Sequence, residues 1–217
     1  MAVNKLLIPK EYPHPRRLPI GQLPECKKNT IMPIGHVKEL LSQKVIIEEK
    51  MDGHTTCFTV DKGRFSIFCE DLKWMHSIYY KIPARYAVFD IFDNRRTLFL
   101  DCDEKTSVFR SMRDGAIAVT ETNSSNFFKV DTIAYGTFAL EALPSLMDIS
   151  RYAFDKKTGL YVRMEGIVVK PARSLFFAEM AHYAAKLVRT EFLEGITNNY
   201  LKKSRVQNEI NPKYSVE

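Results

Sequence analysis

Val45-Ile46-Ile47-Glu48-Glu49-Lys50-Met51-Asp52-Gly53 places a lysine among carboxylates where an apolar run gives way to an Asp-Gly pair. A lysine is a nucleophile only as the neutral amine, so a catalytic lysine needs its pKa of about 10.4 drawn down by burial or neighbouring cations. Farther along, Cys69-Glu70, Phe89-Asp90, Glu165 with Lys170, and Lys186 with Arg189 again put charge at the ends of, or inside, apolar runs. Such a set is what nucleotide transfer requires. Lysines balance phosphate charge, carboxylates hold Mg²⁺ and grip ribose hydroxyls, and an aromatic ring such as Phe89 stacks on a purine. Taken singly, each position also reads as a surface ion pair or a core side chain, and Lys50 as the exposed lysine of a plain hairpin.

Elements that could position these groups follow from the apolar pattern. Val45–Ile47 is β-branched and reads as a buried strand. Asp52-Gly53 is a tight-turn signal, because glycine takes φ > 0 without penalty. Residues 55–60 and 64–69 form two further strand-like runs joined by Asp61-Lys62-Gly63, so an antiparallel meander of three strands is expected. The aromatic-rich connection Leu72–Tyr80 reads as core rather than as a base-stacking platform. Tyr86–Phe92 is a strong strand, turned by residues 93–96 into 97–100. Asp90 interrupts it and must find partners. A helix over 104–113 ends at Gly115, a C′ glycine. Shorter strands are expected at 116–120 and 127–134, then a helical stretch over 137–149 broken by Pro144. Strands at 159–171 and 185–189 lead into an amphipathic helix over 190–203 and a polar tail.

Residues 1–35 carry six of the ten prolines and read as an ordered, irregular arm. Its Glu11-Tyr12-Pro13-His14-Pro15-Arg16-Arg17-Leu18-Pro19 segment is either a surface arm packed on the body or a wall of a nucleotide or nucleic-acid site. The 217 residues suit one large domain or two small ones, with no internal repeat or clear linker. No stretch approaches the ~20 apolar residues of a membrane span, and a cytoplasmic protein is expected. Four cysteines without a Cys-x-x-Cys pair, and five scattered histidines, argue for reduced thiols and against zinc. A net charge of +6 permits a polyanionic partner without requiring one.

In their order, these motifs resemble those of ATP-dependent RNA ligases, within the covalent nucleotidyltransferase superfamily, over nearly the whole chain. Glu49-Lys50-Met51-Asp52-Gly53 resembles the segment whose lysine takes AMP, and Cys69-Glu70 the segment whose glutamate holds the ribose. Phe89-Asp90-Ile91 is similar to the motif that covers the adenine. Glu165-Gly166-Ile167-Val168-Val169-Lys170 and Lys186-Leu187-Val188-Arg189 resemble the last two motifs. The resemblance implies an α+β nucleotidyltransferase domain, antiparallel sheets flanked by helices around an ATP cleft. It would span 1–217, with the Pro-rich arm over 1–35, a C-terminal helix and tail over 190–217, and no oligonucleotide-binding (OB-fold) barrel. It implies Lys50 as nucleophile, and Glu48, Glu49, Asp52, Gly53, Glu70, Phe89, Glu165, Lys170 and Lys186 around the nucleotide. Asp52 and Glu165 would also meet the metal. The cofactors implied are ATP and Mg²⁺ or Mn²⁺, and the partner is RNA with 5′-phosphate and 3′-hydroxyl ends. Another covalent nucleotidyltransferase (a DNA ligase core or a capping guanylyltransferase) and a non-catalytic RNA-end-binding module remain as alternatives.

Overall fold

A computed structural model describes residues 9, 11–20, 30–119, 122–192 and 206–214. The elements run β1 (Arg16–Arg17), α1 (Ile34–Leu41), β2 (Val45–Lys50), β3 (His54–Val60), β4 (Phe65–Asp71), β5 (Lys81–Ile82), β6 (Tyr86–Asp93) and β7 (Leu98–Phe99). Then come α2 (Cys102–Arg113), β8 (Phe127–Lys129), β9 (Thr132–Gly136), β10 (Ile149–Asp155), β11 (Leu160–Arg163) and β12 (Gly166–Pro171). β13 (Leu175–Phe176), α3 (Phe177–Tyr183), β14 (Ala185–Val188) and β15 (Glu209–Ile210) complete the described chain.

Two main sheets face each other. One has the order β1-β14-β12-β2-β9, and the other β13-β7-β6-β4-β3 with β8 beside β6. Most neighbours are antiparallel, but β1 pairs with β14, β8 with β6 and β15 with β5 in parallel, so the sheets are mixed rather than purely antiparallel. The expected meander is also corrected. β3 and β4 are a hairpin, but β2 belongs to the other sheet. The chain crosses between sheets over Met51, Asp52 and Gly53. Gly53 is not among the glycines with positive φ. A Cβ there would meet Leu72 Cδ2 at 2.8 Å and the Asp71 carbonyl oxygen at 2.9 Å, so glycine is required by close approach and not by backbone conformation.

Strand alternation sorts the first sheet into two faces. Val45 and Ile47 on β2, Ile167 and Val169 on β12, and Ala185 and Leu187 on β14 point one way, into a core shared with Leu40 of α1 and Leu143. Glu48 and Lys50 point the other way. The register sets Lys50 opposite Gly166, Glu48 opposite Val168, and Val168 opposite Lys186, so these charges share the face turned to the second sheet. Gly166 is forced by packing, because a Cβ at that position would stand 2.1 Å from the Leu187 carbonyl oxygen.

A buried charge cluster bridges the sheets. Lys105 of α2 and Lys170 of β12 both contact the Glu48 carboxylate, Lys170 at 2.8 Å. Lys170 also reaches Asp90 of β6 at 2.7 Å. Both ammonium groups donate to the Phe89 carbonyl, at 3.0 and 3.2 Å. That carbonyl is available because the β4–β6 register slips between Phe68 and Cys69, leaving Phe89 as the extra residue of a bulge. Burial alone would raise the Glu48 carboxyl, but the two lysines outweigh it and hold it at about 2.

Several local expectations change. Residues 137–149 hold a short 3₁₀ helix, Leu140–Leu146, rather than an α-helix, in keeping with Pro144. The 116–120 strand reduces to a single bridge from Val119 to Val60, with 120 outside the described residues. The 127–134 run splits into β8 and β9, in different sheets. In the Leu72–Tyr80 connection, Leu72, Ile78 and Tyr80 are core, whereas Trp74, Met75, His76 and Tyr79 stay half-exposed. Thr190–Phe192 are helical, and the rest of the helix expected to 203 lies outside the described residues, as do Cys26, Lys27-Lys28 and Lys202-Lys203. No helix among the described residues is long and apolar enough to cross a membrane.

Two outcomes follow. Gly166→Ala will lower stability by about 3 kcal/mol in urea unfolding, because the added methyl meets backbone that cannot step aside. Lys105→Met will cost a similar amount, about 3 kcal/mol, by leaving Glu48 buried with one cation instead of two, and restoring neutrality with Glu48→Gln in the same chain will recover part of it.

Candidate active site

The charged face of the first sheet, the bulge of β6 and the N-terminal arm enclose a cavity of about 210 Å³. Glu48, Glu49, Lys50 and Gly53 border it, with Glu70, Phe89, Lys170 and Lys186, so most of the positions singled out in the sequence come together. Tyr12, His14 and Pro15 close one side. The arm is therefore a wall of the cavity and not a mere surface wrapping. It is anchored by β1, which pairs with β14 at Arg16–Ala185 and Arg17–Lys186, and by the Tyr12 hydroxyl, which donates to Asp90 at 2.5 Å. The Tyr12 ring meets Phe89 edge-on at 4.8 Å.

Lys50 stands at the end of β2 with its ammonium between both oxygens of Glu165, at 2.7 and 2.9 Å. The lysine side chain keeps 25% exposure while that of Glu165 keeps 5%, so the nitrogen is reachable and its partner is not. Burial dominates at Glu165. It outweighs the adjacent Lys50 and pushes the carboxyl up to about 7.

Glu70 closes the cavity from β4. Thr55 donates to its Oε1 at 3.4 Å, while its Oε2 is buried with no hydrogen-bond partner among the described residues. Desolvation, offset in part by Lys50, raises this carboxyl to about 7 as well. A buried acceptor without a partner costs free energy unless a ligand supplies a donor, which makes Glu70 a ready grip for a hydroxyl.

Three predicted positions are placed differently from the expectation. Glu49 borders the cavity, but β-alternation turns its carboxylate to the opposite face, where Ser150 of β10 donates at 2.6 Å. Burial raises it too, to about 7. Asp52 does not line the cavity. Its Oδ2 accepts the Ser77 and Ile78 amides at 2.7 and 3.3 Å, and its own amide donates to the Tyr80 hydroxyl at 2.9 Å. Lys170 reaches the cavity already bound to Glu48 and Asp90. Among the described residues no group of three or more His, Cys, Asp and Glu gathers in a way that could hold a metal ion.

The sequence reading passed over Lys105 and Ser150, and read Tyr80 as core without its hydroxyl contact. Lys105 had a visible signal, since it falls on the apolar stripe with Val108, Phe109 and Met112, where a charge must be paired. The Ser150 and Tyr80 hydroxyl contacts had none, because Glu49 lies 101 residues before Ser150 and Asp52 lies 28 residues before Tyr80.

Residues 60–188 match the model of the RNA ligase family. Among solved structures, the Naegleria gruberi RNA ligase with pyrophosphate is similar at 15% identity, over 76% of this chain and 55% of that one, with a TM-score of 0.52. Mutants of the same enzyme match at 14% identity over 74% of this chain and 54% of theirs, one with AMP and Mn (TM-score 0.48) and one with ATP and Mn (0.46). This chain thus spans about half the length of the solved structures it matches. No curated relative matches the sequence. The family match covers more than half of the chain, and the chain belongs to the RNA ligase family.

Proposed function

We propose that this chain is an ATP-dependent RNA ligase, a single nucleotidyltransferase domain joining 5′-phosphate and 3′-hydroxyl RNA ends through a lysyl-AMP on Lys50. The observation that carries the reading is the reachable Lys50 ammonium seated on the buried Glu165 at the edge of the cavity. The ATP, AMP and Mn in the Naegleria structures support the choice of nucleotide and metal.

The residues suggest a division of labour. Phe89 and Tyr12 offer an aromatic wall for adenine, and the partnerless Glu70 oxygen meets a ribose hydroxyl. Lys186 and Lys170 face the phosphates. Glu48 fixes Lys170 through its ion pair, and Gly53 lets the backbone pass close to Glu70. Glu49 positions the Lys50 strand from behind through Ser150. For the divalent metal, Asp52 and Glu165 are the carboxylates the resemblance implies, although Asp52 stands outside the cavity lining. One Asp52 oxygen is committed to backbone amides and Glu165 to Lys50, so the set fits an ion held largely by substrate phosphates and water. When bound, such an ion neutralises charge on the phosphates.

Glu165 takes the proton that Lys50 must lose. The neutral amine attacks the α-phosphorus of ATP, an N–P bond forms, and the bond to the β-phosphate oxygen breaks as pyrophosphate departs. The RNA 5′-phosphate oxygen then attacks the same phosphorus and the Lys50 nitrogen leaves, recovering its proton. In the last step the 3′-hydroxyl oxygen attacks the 5′-phosphate and gives its proton to solvent, an O–P bond forms, and the phosphoanhydride bond breaks as AMP leaves. Preorganised Lys170 and Lys186 meet charge developing on the phosphate oxygens.

Intact mass after incubation with ATP and Mg²⁺ will rise by one adenylyl group, GTP will not substitute, and Lys50→Ala will abolish the adduct while keeping the thermal transition. No adduct on the unaltered chain points instead to an RNA-end-binding module. A GTP adduct points to a capping-type enzyme, and an adduct persisting in Lys50→Ala rules out Lys50.

Self-adenylation will also depend on pH. A carboxyl near 7 is protonated below that value and can neither pair with the Lys50 ammonium nor accept its proton. The rate will therefore fall as pH drops through about 7. Glu165→Gln will remove this acidic limb and lower the rate by ~100-fold or more, read by quenched-flow mass spectrometry.

A further inference from the structure

Outside the cavity, one face combines aromatic rings with lysines in a way the core does not require. Tyr79, Phe154 of β10 and Tyr161 of β11 form a row, with ring centroids 6.4 and 5.5 Å apart. Tyr79 and Phe154 are half-exposed and Tyr161 is 44% exposed. Two ammonium groups cap the row, Lys156 over Tyr79 and Lys81 over Phe154, each at 3.8 Å from the ring centroid. The acidic neighbours are engaged locally. Asp155 accepts from the Lys157 amide and the Thr158 hydroxyl, and Glu209 accepts from Tyr214 and stands 3.9 Å from Lys81.

We propose that this row is a stacking platform for the unpaired stretch of substrate RNA next to the reacting end. The partner class rests on the RNA-joining reading above, but the surface itself is independent of the cavity. Bases present apolar faces and a phosphate every step, and the row presents three rings with a cation over two of them. Stacking a base on an aromatic ring outweighs an exposed cation–π contact, so a base displaces the lysine from the ring face and the freed ammonium meets the flanking phosphate. An acidic protein segment would use the lysines but leave three rings without a purpose.

Position supports the assignment. Both backbones that carry the row are tied to the Lys50 strand and its exit. The segment before Tyr79 is held by Asp52, two residues past Lys50, through the Ser77 and Ile78 amides. β10 is held by the Ser150–Glu49 hydrogen bond, four residues before Phe154. A strand lying on the row is thus fixed relative to the nucleophile by two short hydrogen-bonded links.

The test uses the full chain and fluorescently labelled 5′-phosphorylated oligouridylate, with binding read by anisotropy across a salt series. The Tyr79→Ala/Phe154→Ala variant will bind at least 10-fold more weakly, and Lys81→Ala/Lys156→Ala will make the log K against log salt slope shallower by about 0.7 for each phosphate no longer neutralised. Both variants will keep the Lys50 adenylyl adduct measured by intact mass, which shows that they are folded. The adduct also separates this proposal from the ligase reading, since failure of that reading removes the adduct from the unaltered chain as well. As a check that needs no variant, 4-thiouridine RNA photo-crosslinked to the unaltered chain will map to peptides containing Tyr79, Phe154 or Tyr161. Affinity unchanged within twofold in both variants overturns the platform. So does crosslinking confined to other peptides, or capture of an acidic peptide at this face in preference to the RNA.

Discussion

Glu48 is the residue on which the two halves of the molecule agree. It sits in the middle of the first sheet, nearly devoid of solvent, and its two oxygens take one lysine from a helix and one from the neighbouring strand. Those lysines extend the contact to Asp90 and to the Phe89 carbonyl of the second sheet. Burying such charges is expensive, and an apolar substitute could hold two sheets together as well. What an apolar substitute could not do is leave Lys170 as a fixed cation at the inner end of a cavity. The cost of the cluster therefore makes sense as preorganisation, with the charge oriented before any substrate arrives.

The carboxylates around this centre behave in opposite ways for one reason. Glu48, with two cations in contact, is held far below the ordinary range, whereas Glu165, Glu70 and Glu49 rise to about 7 because burial is less well compensated. Four glutamates of identical chemistry become one permanent anion and three groups that change protonation near neutrality. Neighbours, not residue type, decide which is which.

Much of this was legible from residue order. The alternation around Lys50, the Gly63 hairpin, the Asp90 interruption and the Glu165–Lys170 strand each lie where expected, because period-two patterning and turn chemistry are local. What could not be read was which strand pairs with which. The transfer of β2 to a different sheet from β3, the parallel docking of the arm on β14, and the sheet change between β8 and β9 all depend on partners far away in the chain. The same limit explains the site. Lys50, Glu70, Phe89, Lys170 and Lys186 could be nominated one by one, while the Glu49–Ser150 and Asp52–Tyr80 contacts needed the fold to exist first.

Two of the passages between the main sheets have a mechanical consequence. Met51–Gly53 joins β2 to β3, and only Val130 and Asp131 join β8 to β9, so the second passage spans three Cα steps, at most about 11 Å. Both passages run along the border of the cavity, which Met51, Gly53 and Val130 line. At this border the two walls of the cavity are therefore joined by backbone as well as by the Glu48 cluster, so the length of the chain itself caps how far they can stand apart.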